Sequence, residues 1–429
     1  MIGKPGPPAE PERPPIGGPP PLGTNRVIWL LWLTYGSFYF GRANIAAAVP
    51  GLEHDLHLDK AQIGSILMAL KLTYGVGQLI NGQLAERLPA RLLLAIGLLG
   101  SAALNVVFGF GTALFFLLFV WACNGYCQSL GWTPTVRVAA NWVPANWRGR
   151  ALGTIGTGYQ LTGALAVVVA SQAAQYYGWQ AALYVPAILM VAAALFMVLF
   201  LRESPPNSPT ESPQQHVMAT AEKTPFLRTV ADTLSNPSLW LLGIALALLD
   251  ASRYGFMDWG LTHLKEVQGS RIDTAGLKLS VLPLGGMLGA FLAGWATDRY
   301  FGGRRAPIIC VLLLILGTLT LCYDSIVRTS LPGTIVVLGL IGFVIYGPQV
   351  LLVGTAPSDL AHRGTAAAAA GFVNFMGYMG ASVGDQVTGT LVKNHGWQTA
   401  VFVWAGWAFA AAAAVAVLWN RKSKTGVME

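Results

Sequence analysis

The stretch WLLWLTYGSFYFGRANIAAAVP, residues 29–50, buries an arginine, Arg42, deep inside an apolar run. A second run, LWLLGIALALLDASRYGFMDWG at 239–260, does the same with Arg253. An apolar run of about 20 residues is long enough to cross the hydrocarbon core of a bilayer as a helix. A guanidinium stays protonated at any usable pH, and holding one at mid-bilayer depth costs about 2.5–3.5 kcal/mol on insertion scales. Two of them at matching points of two spans predict an anion site built from both halves of the chain.

The rest of the composition agrees with membrane residence. Of the 429 residues 54% are hydrophobic and 11% charged, where soluble domains carry about 25% charge. The expected class is an all-α integral membrane protein. Its 50 glycines suit close helix approach in lipid, where small residues replace the hydrophobic effect in packing. The net charge of +8 is spread over short loops and helix ends, so it reads as topology and gives no nucleic-acid face. Cys123, Cys127, Cys310 and Cys322 lie in apolar segments and read as free thiols. The six histidines are assigned to loops or helix ends, with no metal spacing. No phosphate-cradling Walker sequence and no nucleophile–base pair stands out. No cofactor, no metal and no enzymatic activity are expected.

Hydrophobic runs separated by charged or Gly/Pro-rich breaks give twelve spans. They lie near 26–50, 60–84, 91–111, 114–140, 150–175 and 179–201, then 238–263, 273–297, 306–324, 333–356, 364–391 and 398–420. The divisions are a Pro-rich cytoplasmic tail (1–25), a six-helix bundle (26–201), a cytoplasmic linker (202–237), a second bundle (238–420) and a short cytoplasmic tail (421–429). Basic residues in short loops, among them Arg87, Arg91, Arg148, Arg150, Arg299, Arg304, Arg305 and Arg363, place both termini inside. The chain also repeats itself. GQLAER at 82 returns as GWATDR at 294, GWQAALY at 178 as GWQTAVF at 396, and Arg42 as Arg253. The offsets cluster so closely that two parallel six-helix halves follow, related by a pseudo-twofold axis along the membrane normal.

At this point the residues resemble the major facilitator superfamily. Gly82-Gln83-Leu84-Ala85-Glu86-Arg87 with Arg91 is similar to its loop 2–3 motif, and Gly294–Arg299 with Arg304 and Arg305 is the second copy. Within it the chain resembles the organophosphate:phosphate antiporter family, which includes glycerol-3-phosphate and hexose-6-phosphate transporters. Tyr39–Asn44, Gln128, Gly131–Pro134, Arg253-Tyr254-Gly255, Asp258-Trp259, Leu264–Glu266 and Ile345–Pro348 carry the likeness. It implies that Arg42 and Arg253 bind the phosphate moiety. The chain departs from the family where Tyr159 and Gln160 replace a His-Asn pair, where Gln78 replaces a lysine with Lys71 appearing earlier, and at Asp250.

Helical phase extends the candidate site. Tyr35, Tyr39 and Arg42 share one face at i, i+4 and i+7, as do Lys71, Tyr74 and Gln78 in span two. Asp250 stands one turn before Arg253, either as its ion-pair partner or as a proton acceptor. Lys71 is either a third phosphate ligand or the partner of Asp250. Tyr159, Gln160, Tyr346 and Tyr378 complete the expected substrate contacts. Glu86, Arg87, Asp298 and Arg299 are expected gating residues, with Arg137 in a similar role. Asp258 is expected to bond backbone near the outer end of span seven, and Asp385 has no assignment.

A phosphate monoester carries about −1.5 to −2 charge near neutral pH, and two guanidinium forks can grip it bidentately. The expected function is exchange of a small organic phosphate, or similar anion, for inorganic phosphate across an inner membrane by a rocker-switch, the protein acting as a monomer. Empty, the two positive sites repel and resist closure; loaded, the anion draws the halves together. The alternatives are a proton-coupled organic-anion symporter of the same fold, or a transporter-like sugar-phosphate sensor.

Overall fold

Span one is broken where its arginine sits. In the computed structural model it begins as α1 (Thr24–Ser37), tightens into a 3-10 turn over Phe38–Gly41 and resumes as α2 (Ile45–Asp55). Arg42, at φ −129° and ψ −36°, leaves the helical region. The freed carbonyl of Gly41 accepts from the amides of Asn124 (2.9 Å) and Asn105 (3.2 Å). Irregular backbone at membrane depth is thereby satisfied within the protein.

The first half continues with α3 (Lys60–Arg87), α4 (Ala90–Phe108), α5 (Leu114–Ser129), α6 (Trp132–Trp142), α7 (Ala145–Tyr177) and α8 (Ala181–Phe200). The second half mirrors its irregularity. Helix α9 (Pro237–Tyr254) ends one residue past Arg253, a π turn spans Gly255–Trp259, and α10 (Gly260–Gln268) completes the span. There follow α11 (Ile272–Leu279), α12 (Val281–Tyr300), α13 (Arg305–Thr329), α14 (Leu331–Val350), a second π turn over Leu351–Thr355, α15 (Ala356–Leu360), α16 (Ala366–His395) and α17 (Trp397–Ala416).

The structure describes residues 21–205, 231–300, 304–360 and 366–420. Most of the expected N-terminal tail, the middle of the expected linker, the C-terminal tail, and Arg363, His216 and His362 lie outside them. Residues 202–205, counted as linker from composition, are fixed to the first half. Glu203 accepts from the N–H groups of Ala90 (3.1 Å) and Arg91 (3.0 Å) at the start of α4, where the helix dipole favours an anion. The Arg202 carbonyl accepts from Trp142 Nε1 at 2.9 Å.

Among the described residues, ten helical segments are long and apolar enough to cross a membrane. The broken first span and the more polar α16, which carries Asn374, Asp385, Gln386 and Lys393, bring the total to the expected twelve. Several helices outrun the apolar runs by a turn or so, because charged residues such as Arg87 and Lys393 are good enough helix formers to continue into the interface.

The two halves meet most tightly at the end of the bundle that carries Asp59. There Asp59 accepts from Lys393 Nζ at 2.9 Å, Lys60 Nζ bonds Glu266 at 2.6 Å, Ser65 donates to Gln386 at 2.7 Å and the Ile272 N–H donates to Gln175 at 3.1 Å. At the opposite end, which carries Arg87, a Cβ added at Gly149, Gly153 or Gly156 of α7, or at Gly294 of α12, would meet nothing within 4 Å. The bundle is shut at the Asp59 face and splayed at the Arg87 face.

Candidate substrate site

Arg42 and Arg253 occupy equivalent places beside the two helix irregularities. Arg42 is 7% exposed and Arg253 2%. Each break is flanked by a glycine pressed against a neighbour. A Cβ on Gly41 would come within 2.7 Å of Met190 and Ser101, and one on Gly255 within 2.5 Å of the Trp404 ring. Only a bare backbone lets these segments sit deep enough to aim the arginines into the centre.

The arginines are held differently. Arg42 Nε donates to Gln128 Oε1 at 3.0 Å, and Gln128 Nε2 in turn donates to Ser101 Oγ at 2.7 Å. The Arg42 guanidinium also covers the rings of Tyr39 (4.5 Å) and Tyr74 (4.7 Å). Arg253 Nη1 donates to Asp250 Oδ1 at 3.2 Å, so the expected i, i+3 pair forms. Its guanidinium lies 4.8 Å over Tyr254 and 4.9 Å over Tyr346. Cations on aromatic faces gain from the ring quadrupole, most when desolvated. Yet Arg42 Nη2 and Arg253 Nε are buried with no hydrogen-bond partner among the described residues. Arg42 has no carboxylate partner among them either.

Tyrosines link the two arginines. Tyr39 stacks on Tyr159 at 5.2 Å, and Tyr159 lies 6.4 Å from Tyr346, so a chain of rings runs from Arg42 to Arg253. On the other side Tyr74 packs on Tyr378 at 4.3 Å, first half against second. Two cavities of about 20 Å³ flank this cage. One is lined by Arg42, Lys71, Tyr254, Asp258 and Tyr378; the other by Tyr39, Tyr159, Met257, Asp258 and Tyr346. Each admits a water molecule and nothing larger.

Other expected contacts flank the cage, and Tyr35 meets its rings Tyr39 at 6.4 Å and Tyr159 at 6.2 Å. Tyr35 packs on Trp132 at 4.9 Å, Gln78 donates to the Ser129 carbonyl at 3.4 Å, and Gln160 is buried with its amide nitrogen unpartnered among the described residues. None of the three lines either cavity. Arg87 and Arg299 are exposed at the splayed face, while the side chains of Glu86 and Asp298 lie outside the described residues. Arg137 donates to the carbonyls of Ala85 and Leu88, so it caps the end of α3 within its own half and spans no gate.

Four expectations are corrected. Lys71 lines the cavity it shares with Arg42, and it is not the partner of Asp250, which pairs with Arg253. It donates to Asp258 and Asp385, so Asp258 bonds a side chain where a backbone group was expected, and Asp385 acquires a partner. His263, expected at a helix end, is fully buried in α10 against Asp324 (3.0 Å) and Tyr323. Finally, the core is not a simple pair of repelling cations: Arg42, Lys71 and Arg253 are balanced by Asp250, Asp258 and Asp385. The sequence signals for these contacts were only the presence of acids in apolar spans.

With the geometry in place, comparison fixes the family. The sequence profile of the Major Facilitator Superfamily matches residues 31–385. The chain belongs to the major facilitator superfamily. Its twelve helices in two parallel six-helix halves are that superfamily's fold, and it is a multi-pass membrane protein of a family of transporters and not of enzymes. The membrane sensor protein UhpC of Escherichia coli K12 is 30% identical over 375 residues, covering 84% of each chain. A protein of Chlamydia trachomatis serovar D named as a probable hexose phosphate transport protein is 30% identical over 394 residues, covering 87% of this chain and 86% of that one. Among solved superfamily structures, an inward-facing, occupied bacterial homolog of the human lysosomal transporter Spinster aligns with a TM-score of 0.74 at 16% identity. The alignment covers 92% of this chain and 96% of that one, a likeness of fold.

Proposed function

We propose that the protein carries a small organic phosphate across the inner membrane in exchange for inorganic phosphate, by alternating exposure of the Arg42–Arg253 cage to the two faces. The observation that supports this best is the pair of buried guanidinium groups, one from each half, with unpartnered N–H groups inside one aromatic cage. A phosphoryl group presents three strong acceptor oxygens to such donors. The relatives named for hexose phosphate support the same class.

Arg42 lacks a counter-charge among the described residues, whereas Arg253 already has Asp250. The anion therefore supplies what Arg42 lacks and ties it to the second half. This replaces plain repulsion between two cations as the brake on the empty carrier. The water-sized cavities also mean that the tyrosines must part to admit cargo. One chain encloses the whole cage, which supports a monomer. With basic loops inside, the splayed Arg87 face is cytoplasmic, both termini are cytoplasmic, and the structure corresponds to the inward-facing state.

The test is exchange of labelled phosphate into proteoliposomes preloaded with unlabelled phosphate. Exchange is expected in the wild type and lost in Arg42→Lys and Arg253→Lys; full-rate exchange in both variants would overturn the proposal. The likeness to a membrane sensor favours one second reading, a sensor of the same ligand. Phosphate-dependent thermal stabilisation without any exchange would select it.

A further inference from the structure

A second polar constellation of the core stands beside the arginines, with Lys71 and Asp258 lining the cavity that they share with Arg42. Lys71 belongs to α3 in the first half; Asp258, in the π turn, and Asp385, in α16, belong to the second. The three are 3%, 5% and 0% exposed. The ammonium donates to one oxygen of each carboxylate and lies 4.5 Å over Tyr254. One cation against two carboxylates leaves a formal charge of −1. Of the groups around the cluster, the Trp259 indole N–H faces Asp385, and neither Asp385 Oδ1 nor that N–H has another partner among the described residues.

We propose that Lys71, Asp258 and Asp385 form a proton-binding site that couples the switch between the two faces to a proton gradient. The inference rests on alternation between the faces, and not on phosphate being the cargo. While the Asp59 face is shut, the ammonium holds both carboxylates ionised. Opening that face parts α3 from α16 and withdraws Lys71, because it comes from the opposite half. Two carboxylates left side by side in a low-dielectric core cannot both remain ionised. One forms an O–H bond with a proton from water at the Asp59 face. When the halves close again, the returning ammonium displaces that proton. The O–H bond breaks, and the proton leaves through the water-sized cavity that Lys71 and Asp258 share with Arg42, toward the Arg87 face. Each full cycle moves one proton from the Asp59 face to the Arg87 face.

The charged and titratable groups around the cluster are Tyr254, Arg253 and Asp250 from α9, Tyr39 and Arg42 from the first span, Tyr74 from α3 and Tyr378 from α16. α5 presents the uncharged Trp121, and α17 contains no charged side chain. Within this set the two arginines are fixed cations, and the two carboxylates are the groups that cannot both stay ionised side by side, so the exchangeable proton belongs to them. Asp250 is the remaining acid, and it keeps Arg253 in both states because both lie on one helix.

The experiment needs no ligand. Spin labels at His54→Cys and Asn394→Cys, with Cys322→Ala removing the exposed native thiol, report opening of the Asp59 face in purified full-length protein. If the open state binds one proton that the shut state does not, acidification raises the open:shut ratio by about 10-fold per pH unit until it saturates. Asp385→Asn is expected to lose that slope and keep only the shallower response of the surface acids Asp59 and Glu53. Asp385→Glu, which preserves the proton count, is expected to retain it. A pH-insensitive distance distribution in the wild type overturns the proposal, as does an Asp385→Asn response equal to that of the wild type or a flat Asp385→Glu response. Because phosphate is absent throughout, these results stand apart from the exchange assay.

Discussion

Gln128 Oε1 accepts from Arg42 Nε at 3.0 Å, and this bond between α5 and the broken first span decides where the guanidinium points. A hydrogen bond to a charged group contributes about 1.5–3 kcal/mol. Gln128→Ala is therefore expected to weaken phosphate binding about 10- to 100-fold, read as the midpoint of phosphate-dependent thermal stabilisation. Gln128→Glu is the sharper variant. Its carboxylate would neutralise Arg42 in place, and phosphate stabilisation should disappear while the fold, read by circular dichroism, persists.

Replacing either central arginine by lysine keeps the charge and removes the planar fork. Loss of one bidentate contact predicts at least about a 10-fold fall in labelled phosphate exchange for each variant. The two losses should be less than additive, since both residues hold the same anion.

Gly41 and Gly255 sit where no side chain fits. Gly41→Ala would press a methyl group on Met190, Ser101 and the Gln128 amide, and overpacking of this kind costs about 1–3 kcal/mol. A lowered melting temperature together with weakened phosphate binding is expected for Gly41→Ala. Gly255→Ala, against the Trp404 ring, is expected to lower the melting temperature alone or to shift Arg253 with it; unchanged stability in both variants would contradict the close packing described.

The Asp59–Lys393 bridge makes the Asp59 face sensitive to acid. Its hydrogen bond to Lys393 holds the Asp59 carboxyl below the usual carboxylate range in the shut state. A depressed value means that the bridge favours closure above the ordinary carboxylate range and stops doing so as pH falls through the lowered value. Lys393→Ala should raise the open fraction modestly at neutral pH, by a few-fold at most, since exposed ion pairs contribute about 0.2–1 kcal/mol. It should also remove the most acidic part of the spin-label response. An open fraction that Lys393→Ala leaves unchanged at every pH would show that the bridge does no sealing.

Much of this architecture was legible in the chain. Span length, the repeat and the matched arginines lead to the twelve-helix fold, because each rests on local chemistry: bilayer thickness, glycine spacing and the cost of a buried charge. The Asp250–Arg253 pair was legible for the same reason, being one turn of one helix. Lys71 was not, since its partners lie 187 and 314 residues away and only packing brings them together. The side-chain partner of Asp258, expected to be backbone, was missed as well. In a regular α-helix Asp258 stands about 140° from Arg253, but the π turn over Gly255–Trp259 adds a residue to that turn and swings Asp258 back toward the centre. Nothing in GFMDW announces such a turn. The break at Arg42 was equally silent, because Gly41 alone is compatible with a continuous helix.

Arg42, Lys71 and Arg253 face Asp250, Asp258 and Asp385 in equal number, and this balance has an electrical meaning. A charge that crosses the full membrane field exchanges about 2.3 kcal/mol per 100 mV. A reorienting core whose fixed charges cancel feels almost none of it, so the resting voltage neither pushes nor holds the unloaded protein. Whatever sensitivity to voltage a transport assay records belongs to the passengers, the anion in its cage and the proton on its carboxylate.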